Sequence, residues 1–302
     1  MELPLMVYKS NALVEAAYRL SVQEQRILLA CISQVRRDET VTDEVLYSVR
    51  AADLAKMSGT AVEAAYSELK AAALRLKRRE VRLTQEPNGK GKKPKIMITG
   101  WVQTIFYIEG EGRVELRFTK DMLPYLTELT RQFTKYALDD VARMDSAYGI
   151  RLYELLMQWD SQGQREIEIE QLREWLQLEG RYPSIKDFKK WVLEPAVAQI
   201  NEHSPLQASW TQRKTGRRVT HLAFTFAPKT KALEDEKPQQ PKKTRKPKAE
   251  AAGPQQATGY LAFVLSQLKM SESQFTAAAR PGEDVKQVFE RIKRERREAL
   301  VD

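Results

Sequence analysis

The sequence is poor in cysteine, histidine and long apolar runs. Its 302 residues include one cysteine and two histidines. Cys31, in the apolar stretch "RILLACI", cannot form an intrachain disulfide or a thiolate zinc site, and we expect a small buried core residue there. No apolar run approaches the roughly 20 residues that span a membrane. The opening "MELPLMVYKS" is too short and polar for a signal peptide, so we expect a reducing cytoplasm and no membrane partner.

Positive charge is in excess. Lysine and arginine number 50 against 41 aspartate and glutamate, which gives a formal net charge of +9. Such a surplus favours a polyanionic partner, with nucleic acid ahead of an anionic membrane surface.

Composition changes sharply after residue 228. Residues 229–259, with "KPQQPKKTRKPKAEAAGPQQATG", have almost no large apolar side chains and are predicted to be a disordered basic linker. Residues 260–302 return to helical periodicity as a short helical tail. Its two apolar stripes are Leu261, Val264, Leu265 and Leu268, then Val285, Val288, Phe289 and Ile292. The tail is either a docking element for a partner or a self-packed appendage.

The first 228 residues contain the same order of elements twice: helix, strand, helix, helix, strand, strand. This order is typical of a winged helix, in which a helix-turn-helix carries a β-hairpin wing. We therefore predict an α+β protein with tandem winged-helix domains at residues 1–126 and 127–228. The first copy has helices at 21–35, 51–59 and 60–79 and strands at 45–50, 80–85 and within 95–119. The second has helices at 145–163, 171–180 and 184–203, a strand at 165–170 and a hairpin at 206–226.

The helix predicted at 184–203 combines an apolar face with a basic first turn. Ser184 and Asp187 have capping-box spacing, and Pro195 lies inside the pattern, where a bend without a stop is expected. The apolar face consists of Ile185, Phe188, Val192, Ala196 and Ile200. Lys186, Lys189 and Lys190 lie off that face, where helix-turn-helix proteins contact bases and phosphates.

The hairpin that follows is basic at its tip. Together with the turn before the helix, it completes a candidate DNA-binding surface of ten residues: Arg181, Ser184, Lys186, Asp187, Lys189, Lys190, Arg213, Lys214, Arg217 and Arg218. We expect the helix and the wing to converge on one outward surface. Two interpretations stay open at this point. The lysines could be a solvated face, and Asp187 could cap the helix or accept a hydrogen bond from cytosine N4.

Catalytic and metal-binding patterns are weak. His203 and His221 fall on separate elements, and "NGKGKKPK" lacks the spacing of a phosphate-binding P-loop. Glu166, Glu168 and Glu170 could hold Mg²⁺, but an exposed strand face explains them as well. We therefore expect no cofactor, no metal and no enzymatic activity.

The second half closely resembles the C-terminal half of iteron-binding plasmid replication initiators, and residues 21–35 are similar to the opening helix of their N-terminal domain. The resemblance spans roughly residues 8–228. It is carried by Arg151 to Leu156, Tyr182, Asp187 to Lys190, Leu193, Ile200, Asn201, Gly216, Arg217 and Phe224 to Phe226. Trp191 departs from it, since some members carry a basic residue there.

The resemblance implies binding to iterons, which are repeated sites at a plasmid origin. It assigns major-groove recognition to the second domain, and dimerisation and auxiliary DNA contact to the first. It further implies a monomer–dimer equilibrium, repression of the protein's own promoter through an operator inverted repeat, and recruitment of the host initiator and replicative helicase. The expected location is the bacterial cytoplasm, with the nucleoid or plasmid. A winged-helix transcription regulator and a nicking enzyme are the competing hypotheses.

Overall fold

The computed structural model describes residues 4–89, 96–216 and 218–229, together with positions 275, 287, 288, 291, 292 and 295. The chain divides into two compact units, Met1–Lys237 and Pro238–Asp302. In the second unit, Phe275, Val288 and Ile292 are helical and buried. The predicted linker and the rest of the tail lie outside the described residues, apart from Lys229. In the described part, no helix is long and apolar enough to cross a membrane.

The first winged helix follows the predicted order with one insertion. Helix α2 (Val22–Ile32) precedes strand β2 (Tyr47–Arg50), helices α3 (Ala51–Ser58) and α4 (Val62–Leu76), and strands β5 (Val102–Ile108) and β6 (Arg113–Phe118). A separate antiparallel pair, β3 (Glu80–Leu83) and β4 (Met97–Gly100), is inserted after α4. The three-stranded sheet has the order β2-β6-β5.

The second winged helix repeats this topology. Helix α6 (Ala147–Met157) precedes strand β8 (Gln164–Glu168), helix α7 (Ile169–Trp175), the long basic helix, and strands β9 (Leu206–Thr215) and β10 (Arg218–Pro228). The sheet order, β8-β10-β9, again places the last strand between the other two. The shared order supports the predicted structural duplication. Strand β8 is shorter than predicted, because Ile169 and Glu170 already belong to α7.

Local sequence signals explain several element boundaries. At the start of α2, Ser21 and Glu24 have capping-box spacing, and the box is formed in both directions. Glu24 N donates to Ser21 Oγ at 3.3 Å, and Ser21 N donates to Glu24 Oε2 at 2.7 Å. Helix α3 ends at Gly59 in the left-handed conformation, as its sequence predicts. Cys31 is fully buried, as predicted, and burial raises the pKa of its thiol.

Further elements that the sequence did not predict bring the beginning of the chain together with residues 133–142. Strand β1 (Met6–Ser10) is followed by helix α1 (Asn11–Val14), while strand β7 (Phe133–Ala137) and helix α5 (Asp139–Ala142) precede α6. β1 and β7 pair antiparallel, from Met6 opposite Ala137 to Ser10 opposite Phe133. The beginning of the chain is thus held against the segment that leads into the second winged helix.

A buried network of ion pairs and hydrogen bonds connects this strand pair to helix α6. The carboxylate of Glu154, on α6, accepts hydrogen bonds from Lys9 Nζ at 2.6 Å, Arg151 Nη1 at 2.9 Å and Tyr136 Oη at 2.6 Å. Arg151 Nη2 also donates to the carbonyls of Val14 and Ala16, each at 3.0 Å. Burial alone would raise the pKa of the Glu154 carboxyl, but the adjacent Lys9 and Arg151 hold that pKa at about 2. The network therefore joins β1 and the segment after it to α6.

Candidate nucleic-acid interface

The turn between α7 and the basic helix is held by an arginine that the sequence analysis did not single out. Gly180 and Tyr182 both have left-handed backbone conformations, with φ of 72° and 49°. Arg173 Nη1 donates to the Arg181 carbonyl at 3.0 Å, and its Nη2 donates to the Tyr182 carbonyl at 2.7 Å. Its guanidinium lies 4.7 Å from the centroid of the buried Phe188 ring. Arg173 thus fixes the position at which the basic helix begins.

Replacing Arg173 with alanine should destabilise this turn. The variant loses two charge-assisted hydrogen bonds to backbone carbonyls, so we expect the free energy of unfolding to fall by about 2–4 kcal/mol. Urea denaturation checks this value. Arg143→Ala, at an exposed arginine, is the control and should change stability by less than about 0.5 kcal/mol. Equal stability of the two variants would show that Arg173 does not hold the turn.

The basic helix, residues 185–203, is continuous through Pro195. An α-helical turn (Ile185–Phe188) leads into a π-helical turn (Lys189–Leu193) and then into an α-helix (Glu194–His203), with Pro195 near its start. The wide turn changes the backbone pairing just before the proline, whose missing N–H would otherwise interrupt the ladder. The predicted continuation past Pro195 is confirmed.

Burial divides the basic helix into two faces. The predicted apolar stripe packs on the core, and Leu193 and Val197 are buried with it. Ile185 is half-buried against the same core. On the opposite face the side chains of Lys186, Asp187, Lys190 and Trp191 are exposed. This exposed face is the surface that a helix-turn-helix offers to a groove.

The cap of the basic helix differs from the prediction. Ser184 Oγ accepts from Lys186 N at 3.2 Å, so the serine caps the helix. Within the described residues, no hydrogen bond returns from Ser184 N to the Asp187 carboxylate, and the predicted capping box is therefore wrong in its second half. Asp187 is exposed, and its carboxylate is available to an external donor.

The wing, formed by β9 and β10, presents different residues on its two faces. Thr215 pairs with Arg218, and Gly216, with φ of 62°, begins the connecting turn. Arg217 lies outside the described residues. Leu206 and Ala208 are buried, so by strand alternation Gln212 and Lys214 belong to the same face of β9.

Arg213 lies on the other face of the wing. Its Nε is hydrogen-bonded to Glu166 Oε1 of β8, and the two side chains form an exposed ion pair. The neighbouring carboxylate of Glu168 is also exposed. The predicted common direction of Arg213 and Lys214 is wrong, because consecutive residues of a strand point to opposite sides.

The helix and the wing meet at Lys189. This half-buried lysine donates from Nζ to Gln212 Oε1 at 3.3 Å, and its Nζ lies 5.8 Å from the centroid of Trp210 on the same strand face. This contact places the basic helix next to the strand face of Gln212 and Lys214. Arg181 and Arg218 are exposed at the turn and at the wing tip.

The described residues offer no evident metal site. Among them, no group of three or more histidine, cysteine, aspartate or glutamate side chains is placed to hold an ion. His203 and His221 are half-buried on different elements, and His221 Nδ1 lies 2.9 Å from Thr220 Oγ1.

Comparisons with known proteins agree with this architecture. Residues 6–157 match the family model described as "Initiator Replication protein, WH1", and residues 168–226 match "Initiator Rep protein, WH2". A replication initiation protein of Escherichia coli is 28% identical over 227 residues, which cover 73% of this chain and 69% of the relative. The PI protein of Escherichia coli is 24% identical over 245 residues, which cover 72% of this chain and 80% of that protein.

A solved structure has the same fold. The crystal structure of Pi initiator protein in complex with iteron DNA superposes with a TM-score of 0.63 at 21% identity. The superposition covers 76% of this chain and 99% of that one.

Proposed function

Because the chain belongs to the initiator replication protein family, with two winged-helix domains, we propose that it initiates plasmid replication by binding directly repeated origin sequences. The observation that carries the proposal is the contact between Lys189 and Gln212, which joins the basic helix to the wing beside exposed lysines. A homologue named as a replication initiation protein, and the fold shared with an initiator bound to iteron DNA, support it.

The proposed DNA contacts are of two kinds, contacts to bases and contacts to phosphates. Lys186, Lys190 and Asp187 lie on the exposed helix face, where ammonium groups reach guanine acceptors and a carboxylate accepts from cytosine N4. Ser184, Lys189 and the basic residues of the turn and wing supply phosphate contacts, which fix position without reading sequence. Those basic residues are Arg181, Lys214, Arg217 and Arg218.

We further propose that binding energy, without a covalent step, promotes opening of the origin. The bound protein then recruits the host replication initiator and the replicative helicase. Self-association and binding to an operator inverted repeat would allow it to repress its own promoter. The division into an N-terminal dimerisation domain at 1–126 and an iteron-recognition domain at 127–228 is part of the same proposal.

Plasmid maintenance tests the replication role. A plasmid that carries the DNA flanking the gene should persist only in cells that supply this protein. Failure to persist, with sequence-specific DNA binding intact, would favour a winged-helix regulator without a replication role. Supercoiled origin DNA incubated with the protein and Mg²⁺ should remain closed. Efficient formation of open circles would instead indicate a nicking enzyme.

The two faces of the wing should differ in their effect on salt dependence. Lys214→Ala removes a cation from the face shared with Lys189, so the slope of log K against log salt concentration should fall by about 1. Arg213→Ala should change this slope less, because Arg213 is paired with Glu166 on the opposite face of the wing. Fluorescence anisotropy at four salt concentrations measures both slopes. Equal slopes for Lys214→Ala and the wild type would remove Lys214 from the interface.

A further inference from the structure

Trp191 is the largest side chain on the exposed face of the basic helix. It is 56% exposed, whereas Trp101 and Trp175 are 0% and 7% exposed in the core. The π-helical turn places it beside Lys190, whose Nζ lies 4.6 Å from the centroid of the indole. The helix thus presents the flat apolar ring of Trp191 with the ammonium group of Lys190 next to it.

If this face enters a major groove, as the proposed function requires, the indole cannot remain in water. A helix with its side chains is about 10–12 Å wide, which nearly fills a groove about 12 Å wide. Trp191 follows Lys186 and Lys190 on the same exposed face, so it lies within the part that enters. The surrounding cations favour a polyanion as the partner of this face.

The chemistry of indole limits what it can recognise there. Its ring is apolar and its single N–H is a donor, so it cannot neutralise a phosphate as lysine does. The apolar feature of the major-groove floor is the 5-methyl group of thymine. Lys190, beside the ring, offers hydrogen-bond donors for the acceptors of a neighbouring base.

We propose that Trp191 determines part of the DNA sequence specificity by packing on thymine methyl groups. The inference rests on the proposed function, since it requires the basic helix to enter the groove. It assigns to this helix a contact by apolar burial in addition to the polar contacts of its lysines. One or two positions of the bound site should therefore require thymine.

Selection from a random double-stranded library tests this assignment. The wild type, Trp191→Ala and Trp159→Ala are each used to enrich duplexes. Trp159 is a matched control, because it is 42% exposed, has Arg165 5.9 Å from its ring and lies outside the basic helix. The wild type and Trp159→Ala should enrich one consensus. Trp191→Ala should lose the preference for thymine at one or two adjacent positions and keep the rest.

Deoxyuridine then removes only the methyl group from the enriched duplex. At the affected positions, wild-type affinity should fall about fourfold per methyl group, and Trp191→Ala should change less than about twofold. Trp191→Phe should keep a reduced sensitivity, and thermal melting confirms that each variant is folded. The same consensus for all three proteins, or equal sensitivity to deoxyuridine with and without Trp191, would overturn the inference alone. Failure of the wild type to enrich any consensus would overturn the proposed function and this inference together.

Discussion

Replacing Glu154 with glutamine is expected to lower the free energy of unfolding by about 3–5 kcal/mol. Glu154 is fully buried, and its carboxylate accepts from Lys9, Arg151, Tyr136 and Tyr18. An amide in its place leaves Lys9 and Arg151 without a counter-charge and directs an N–H₂ group towards donors. A loss of this size is a large part of the roughly 5–15 kcal/mol that stabilises a typical domain.

Urea denaturation of the wild type and Glu154→Gln measures this effect. Glu166→Gln removes an exposed carboxylate from its ion pair with Arg213 and should cost only about 0–1 kcal/mol. Lys9→Met combined with Glu154→Gln should cost less than the sum of the single changes, because each partner is costly mainly when the other is left unpaired. Stability of Glu154→Gln within about 1 kcal/mol of the wild type would show that the network does not join β1 to α6 energetically.

Lowering the pH should reduce the difference in stability between the wild type and Glu154→Gln. The folded pKa of Glu154, about 2, lies below the value of about 4.3 for an unfolded chain, so the unfolded state binds the proton first. The stabilisation from Glu154 is therefore complete above about pH 5 and is lost as the pH falls towards 2. The difference between the wild type and Glu154→Gln should narrow over that interval.

The second large effect is expected on the affinity for DNA. The double variant Lys186→Ala/Lys190→Ala should bind its specific duplex about 100-fold more weakly, since a lysine that reads a base contributes about 1–3 kcal/mol. Both side chains are exposed, so the fold should be unchanged. Lys189 is left in place because it contacts Gln212 within the protein.

Fluorescence anisotropy at constant salt measures this loss. Lys56→Ala/Lys135→Ala removes the same charge from exposed positions outside the basic helix and the wing and should weaken binding by less than about threefold. On a duplex of unrelated sequence, the double change at Lys186 and Lys190 should have a much smaller effect. Equal losses on both duplexes would restrict these lysines to phosphate contacts.

The elements with local signals could be predicted from the sequence. The capping box at Ser21, the glycine at the end of α3 and the apolar stripe of the basic helix each specify a boundary or a face within a few residues. The hairpin at 206–226 is equally local. The order of these elements was sufficient to predict two winged helices, and the family models confirm them.

Features that depend on residues far apart along the chain could not be predicted from the sequence. Strand β1 pairs with β7, more than a hundred residues further along the chain, and each strand is only five residues long. Lys9 would be expected at the surface, and only the buried Glu154 explains its position. The direction of Arg213, by contrast, could have been derived from alternation along β9, counted from the apolar residues Leu206 and Ala208. The role of Arg173 depends on the left-handed turn that it holds.

The central claim is that the basic helix and the wing form one surface that binds repeated DNA. A hydroxyl-radical footprint on the DNA flanking the gene, with wild-type protein and Lys186→Ala/Lys190→Ala, tests it most directly. The account predicts directly repeated protection by the wild type at intervals of about two helical turns, roughly 21 base pairs, and its loss in the variant. Protection that is not repeated, or that persists unchanged in the variant, would contradict it.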